Sequence, residues 1–170
     1  MDVPPAGDPQ LEQLTMNKNI SLRKAGIGDI EQIKDILFSS LKEYEIALPD
    51  NYSVSDIDSI ADRNSHEQVF VLVRSDSVIG FVVLRQITAD CIELKRLYLT
   101  SSERGRSLGK YLLNYATNFA QRKNFKFIRL ETTSKFKEAV CLYKRNGFLE
   151  LKEAQKEPGH DLVFEKYQKF

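Results

Sequence analysis

The chain carries no excess of charge of either sign: 25 Lys and Arg stand against 24 Asp and Glu in 170 residues, a formal net charge of +1. Gripping nucleic acid or a membrane surface through an overall field takes more than that, so the balance argues against both as general roles and basic residues matter locally. Cysteine is scarce. Cys91 and Cys141 are the only two, without C-x-x-C spacing or a His partner, which argues against a disulfide or a metal site; both lie in apolar segments and are expected as buried free thiols, in keeping with a reducing cytoplasm. His66 and His160 are the only histidines, both in polar, turn-like settings without metal-ligand spacing. Residues 1–18 are Pro-rich and polar with no apolar h-region; they read as a mobile leader, neither signal peptide nor membrane span. Internal repeats are absent.

What is present fits one domain, residues 19–170, long enough to bury about two thirds or more of its unfolded surface. Residues 20–24 alternate as a first strand. Ile30, Ile33, Leu37, Leu41 and Tyr44 mark the apolar face of a helix running to about Glu43, and Ser53 or Ser55 can cap a short second helix with Ile57, Ile60 and Ala61 inward. Residues 69–74 and 78–84 are strands joined by Ser75-Asp76-Ser77, a hairpin signal. Residues 88–90 turn the chain into a strand over Cys91–Leu99. A helix from Leu108 shows Leu112, Tyr115, Ala116, Phe119 and Ala120 on one face and ends at Lys123-Asn124. A strand over Phe127–Thr132, a helix over residues 137–146 closed by Gly147, and strands at 148–151 and 162–167 complete the order βααβββαβαββ.

Between the Cys91–Leu99 strand and the Leu108 helix lies a tight basic turn, Arg104-Gly105-Arg106-Ser107-Leu108-Gly109-Lys110. The first helical turn has N–H groups without intrahelical partners and a partial positive charge, and small residues let an anion approach the backbone. These features point to a phosphate or pyrophosphate. Gly105 lies too close to Gly109 for a nucleotide P-loop, Tyr111 stands where that loop needs Ser or Thr, and the dinucleotide pattern G-x-G-x-x-G is absent.

The segment resembles motif A of the GCN5-related N-acetyltransferases (GNAT), which move acetyl from acetyl-CoA to an amine: a strand ending hydrophobic-x-hydrophobic (Leu97-Tyr98-Leu99), then Arg104, with Ser107 and Gly109 at the two small positions. Ser107 departs from the usual Gly, adding a Cβ where backbone and pyrophosphate should nearly touch. Residues 139–148, AVCLYKRNGF, resemble motif B of the same family, in the right order and at the right separation. The resemblance covers roughly residues 19–167 and implies the acyl-CoA N-acyltransferase fold, an α/β (α+β) arrangement with a central, mixed, mostly antiparallel sheet of about seven strands flanked by four helices.

It also implies a site. Acetyl-CoA is the expected co-substrate, with no metal. The pantetheine arm would lie beside the backbone of Leu97, Tyr98 and Leu99, and the pyrophosphate on the N–H groups of Gly105, Arg106, Ser107, Leu108, Gly109 and Lys110. A backbone N–H near Leu99 would meet the oxyanion where this strand splays from Phe127–Thr132. Tyr143 matches the tyrosine that protonates the departing thiolate, its alternative being an aromatic packed between helix and sheet. Phe136 stands where many relatives have an Asn that contacts pantetheine, so that contact does not carry over. Glu93 matches the glutamate base of histone-type members; simple alternation puts it on one face with Lys95, Leu97 and Leu99, a bulge would change this, and its alternative is an ion pair with Lys95 or Arg96. Glu131 is the rival base, and a base acting through water a third course.

The wording ELKRLYL, LETTS and LYKRNGF resembles the small-molecule branch, so the expected acceptor is a free amine or amino acid, the expected mechanism direct transfer in a ternary complex. The acceptor loops, residues 41–55 and 154–161, name no ligand beyond an acidic patch at Glu43, Glu45 and Asp50. Peptide N-acetylation, or a CoA-binding sensor without turnover, are the alternatives; a nucleic-acid role for the basic turn is disfavoured by the net charge. Dimers among relatives make a homodimer an expectation of resemblance only.

Overall fold

The computed structural model describes residues 19–62 and 64–168. The expected leader at residues 1–18 lies outside them. Seven strands, β1 (Ile20–Lys24), β2 (Glu67–Arg74), β3 (Ser77–Gln86), β4 (Cys91–Leu99), β5 (Phe127–Thr132), β6 (Leu149–Glu150) and β7 (Leu162–Tyr167), form one sheet in the order β1-β2-β3-β4-β5-β7-β6. Four α-helices accompany it, α1 (Ile30–Glu43), α2 (Ser55–Asp58), α3 (Leu108–Arg122) and α4 (Lys137–Arg145). Only β4 and β5 run parallel.

Apolar periodicity explains the two layers. Leu112, Leu113, Ala116 and Ala120 of α3 are fully buried and pack with Ile92, Leu94, Ile128, Leu130 and Phe164 of the sheet in one core. Ile33 and Leu37 of α1 and Ile57 of α2 bury against Val71, Phe81 and Val83 in the other. Strands with both faces covered read as near-continuous apolar runs, as β2 and β3 do. The β2–β3 hairpin turns on Ser75 (φ 46°) and Asp76 (φ 66°), the left-handed pair whose twist matches the strands.

Three expectations need correction. Cys141 is exposed on α4, whereas Cys91 is buried as expected. Burial pushes the Cys91 thiol up to about 11, so it stays protonated and inert. The second helix is a single turn followed by 3₁₀ geometry, which leaves Ala61 outward. The sixth strand shrinks to two residues because Phe148 is drawn into the core, 2% exposed.

What positions a site is the middle of the sheet. β4 pairs with β5 only through Cys91↔Phe127, Ile92↔Ile128 and Glu93↔Arg129. Beyond that point β4 continues along β3 to Leu99↔Gly80, and β5 along β7 to Thr132↔Leu162. The two parallel strands therefore part, and a V-shaped opening starts at Glu93.

Candidate active site

Along one side of the opening runs the second half of β4. The Thr100 N–H donates to Ile79 O at 2.9 Å, so by the alternation of an antiparallel ladder the amides and carbonyls of Leu97 and Leu99 turn from β3 into the opening. They form an unpaired strand edge, able to accept an extended amide-bearing arm as an added strand. In β4 the pairing jumps from Arg96↔Val83 to Leu94↔Leu84, so Lys95 is an extra, bulged residue. The bulge reverses the alternation. Ile92, Leu94, Leu97 and Leu99 all face the α3–α4 core, while Glu93 and Arg96 share the other face with Tyr98. Glu93 is thereby separated from Leu97 and Leu99, with which unbroken alternation would have grouped it.

Past Leu99 the chain makes a 3₁₀ turn at Ser101–Glu103, passes Gly105 (φ 72°) and Ser107 (φ 64°), and begins α3. Ser107 is the residue preceding the helix and its hydroxyl makes no capping bond. The requirement for Gly in this position is thus conformational as well as steric, since a left-handed φ is costly for a residue with a Cβ. A Cβ on Gly109 would meet Leu142 at 3.5 Å and Leu99 at 3.8 Å, ordinary contacts that leave room for a small side chain there. The cations divide. Arg104 turns from the loop, donating to Glu43 at 2.7 Å and Ser40 at 3.2 Å and lying 5.4 Å over the Tyr44 ring. Arg106, half exposed, and exposed Lys110 remain at the helix start. Buried Glu103, held by Arg74 at 2.9 Å, braces the turn from beneath.

Tyr143, 5% exposed, sits on the inner face of α4 against Phe148 and Phe164. Burial raises its phenol above the ordinary tyrosine range and keeps it protonated. Phe136, just before α4, packs edge-on against Tyr44 (4.8 Å) and Tyr98 (6.0 Å). With Lys135 donating to Glu45 O at 2.8 Å and the Tyr44 hydroxyl to Glu138 at 3.2 Å, the end of α1 is tied to the β5–α4 loop.

A family model described as "Acetyltransferase (GNAT) family" matches residues 30–148. The chain belongs to the GNAT acetyltransferases. With the family comes the activity class, acetyl-CoA-dependent N-acetylation. An uncharacterized N-acetyltransferase of Escherichia coli, YjgM, is 28% identical over 134 residues, 75% of this chain and 80% of that protein. The spermidine N(1)-acetyltransferase of Thermoplasma acidophilum is 27% identical over 161 residues, 87% and 97% of the two chains. Among solved structures, a GNAT-family acetyltransferase of Staphylococcus aureus Mu50 superposes with a TM-score of 0.76 at 20% identity, over 88% of this chain and 99% of that one. The PaiA N-acetyltransferase of T. acidophilum in complex with coenzyme A does so with a TM-score of 0.69 at 23% identity, over 88% and 99%. The unpaired Leu97 and Leu99 edge and the left-handed approach to α3 fit the pantetheine and diphosphate of coenzyme A.

The face of this GNAT sheet opposite α3 and α4 is lined with charge. Arg85 contacts Glu93 through Nε at 2.8 Å and Nη2 at 2.7 Å, both on Oε2, so Oε1 lies outside the fork. The ion-pair partner is therefore Arg85, not Lys95 or Arg96. Glu131 accepts the Glu157 N–H at 2.8 Å and lies 3.6 Å from His160. Arg96 is taken elsewhere: Nε and Nη2 hold buried Asp56 at 2.6 and 3.2 Å, and Nη1 donates to the Tyr52 hydroxyl at 2.6 Å. Burial favours a neutral Asp56, but the Arg96 fork and neighbouring Lys95 outweigh it and hold the carboxyl below its usual range. This clamp fixes α2 to β4 and was not visible in the sequence, because its partners lie about forty residues apart with nothing in between to relate them. Of the acidic loop patch, Glu43 is occupied by Arg104.

Proposed function

We propose that this acetyltransferase moves the acetyl group of acetyl-CoA directly to a primary amine of a small molecule within a ternary complex. The observation that carries the reading is the parting of β4 and β5 beyond Glu93↔Arg129, because it frees one strand edge for the donor while leaving a charged face on the other side for the acceptor. In this reading Leu97 and Leu99 pair with the pantetheine amides, with Tyr98 between them. The N–H groups of residues 105–110 hold the diphosphate, aided by Arg106 and Lys110, and Arg104 fastens the turn to α1. A backbone N–H near Leu99 donates to the carbonyl oxygen as negative charge gathers there, which contributes on the order of 3 kcal/mol.

Glu93 Oε1 takes the proton from the amine as its nitrogen bonds the acetyl carbon, and Tyr143 gives one to the sulfur as the carbon–sulfur bond breaks. A phenol serves as that acid because a thiol with a pKa near about 8.5 needs only a modest donor. Glu131 is the alternative base. A cationic amine suits the acceptor face, where Glu93, Arg129 and Glu165 stand in register across β4, β5 and β7 with Glu131 beside them. The relative named as a spermidine N(1)-acetyltransferase supports the same class.

Incubating the full chain with acetyl-CoA and a panel of polyamines, amino acids and peptides, while following free thiol, tests the reading. Thiol release is expected with small primary amines. Release with peptides alone would give the peptide alternative, and coenzyme A binding without release above background would make the chain a sensor. Phe136 favours the sensor reading, since an aromatic packed against Tyr44 and Tyr98 stands where many relatives carry Asn.

A further inference from the structure

A second concavity, of about 840 Å³, lies on the α3 side of the sheet at the end where β4 and β5 are still paired. Its floor is Leu22, Phe70, Leu84 and Ile92, and its wall is Tyr115 and Phe119 of α3. Phe70 meets Tyr115 edge-on at 4.9 Å and Phe119 at 5.5 Å, giving a continuous aromatic surface. Separation from the coenzyme site is set by α3, whose first turn serves the diphosphate and whose last turns form this wall, about 15 to 20 Å away at 1.5 Å per residue.

Charge at the rim is of one sign. Lys24, Lys123 and Arg23 line it and no Asp or Glu does, in a chain whose acids and bases are almost equal in number, 24 to 25. Lys123 Nζ stands 5.9 Å over the Phe119 ring and Arg122 stands 6.0 Å over Tyr115. The carboxylates adjoining the rim are engaged: Asp29 by Arg23 at 2.7 Å, Glu67 by Ser65 at 3.1 Å and Lys95 at 3.5 Å, and Asp90 by Lys126 at 3.0 Å, while of the two others that border Lys24, Asp56 is held by Arg96 at 2.6 Å and Asp62 accepts the Asn64 N–H at 2.9 Å. Arg23 is neutralised by its own pair, which leaves Lys24 and Lys123 as the exposed cations. The size lies within the range of small-ligand clefts, and an apolar floor with a few charged groups at its edge is how such clefts fix orientation.

We infer that this groove is a second ligand site, for an amphipathic carboxylate: an aliphatic or aromatic body lies on the Phe70–Tyr115–Phe119 surface and its carboxylate meets Lys123 and Lys24. The site stands apart from the acetyl-transfer reading and is tested without turnover.

The full chain is titrated with decanoate and, as the charge-reversed control of equal chain length, decyltrimethylammonium, by calorimetry and amide NMR. Decanoate is expected to saturate one site with shifts centred on Leu22, Phe70 and Phe119, and the ammonium to bind at least tenfold more weakly. Saturating coenzyme A should leave decanoate affinity unchanged. Lys123→Glu and Lys24→Glu, both at exposed positions, should each weaken decanoate several-fold and leave coenzyme A binding intact. Equal affinity for the two probes, displacement of decanoate by coenzyme A, or charge variants without effect would overturn the site. Signals at Phe119 that follow protein concentration instead of decanoate would also overturn it, assigning the groove to a second copy of the chain.

Discussion

At Ser107 a side chain is carried at φ 64° without a capping bond in return. Ser107→Gly is therefore expected to stabilise the fold by about 0.5–1 kcal/mol, read as a higher urea midpoint, with coenzyme A affinity retained or improved. A fall in affinity would mean that the hydroxyl itself serves the diphosphate. Tyr143 lies deep enough that packing alone accounts for its burial, so its chemistry must be separated by kinetics. Tyr143→Phe keeps the ring contacts with Phe148 and Phe164 and is expected to lower kcat by about a hundredfold or less while KM for acetyl-CoA stays similar; an unchanged kcat returns the residue to the core. Glu93 is more exposed to ambiguity, since Arg85 holds one of its two carboxylate oxygens. Glu93→Gln keeps that oxygen and removes the base, so a large fall in kcat, with KM for acetyl-CoA and the urea midpoint unchanged, distinguishes catalysis from bracing.

At the scale of elements, the Lys95 bulge and the Arg96–Asp56 clamp do for the proposed acceptor side what the left-handed turn does for the proposed donor side. One extra residue in β4 sends Glu93 and Arg96 to the α1–α2 face, and the clamp then holds α2 and Tyr52 there. Asp56→Asn leaves the buried Arg96 charge with half a partner and is expected to cost about 3–5 kcal/mol in urea unfolding. Arg96→Met should restore much of that stability in the double variant, yet raise KM for the amine, because α2 is no longer fixed. Acid acts on the same element. Asp56, and Asp29 beside Arg23, have carboxyls held below the ordinary range. Their contribution is complete above the unfolded value of about 3.9 and is lost as pH falls through the lower folded values. The melting temperature should be flat with pH above about 5 and drop steeply below about 4, and Asp56→Asn should flatten that drop.

Across the whole molecule, two cores flank a sheet whose middle is left open, so ligand binding and stability are linked. Acetyl-CoA at about 100 times its dissociation constant adds roughly 2.7 kcal/mol, which for a domain of this size is a rise of about 5–10 °C in melting temperature. Among the described residues no helix is long and apolar enough to cross a membrane.

Local pattern alone determined most of the architecture. Apolar runs bounded by turn residues, together with period-two and period-3.6 spacing, located all seven strands and the long helices, and the run Leu97 to Lys110 with residues 139–148 carried the family, because turn chemistry and helix-start chemistry are properties of adjacent residues. Adjacency could not say which carboxylate meets which cation, that Cys141 faces out, or that Arg104 turns from its loop to Glu43. Nor could it place Glu93, whose face depends on a single bulged residue that only the pairing of β4 with β3 creates. Those outcomes are set by contacts between segments tens of residues apart, where the energy of packing and of charge pairing overrides what each segment would do alone.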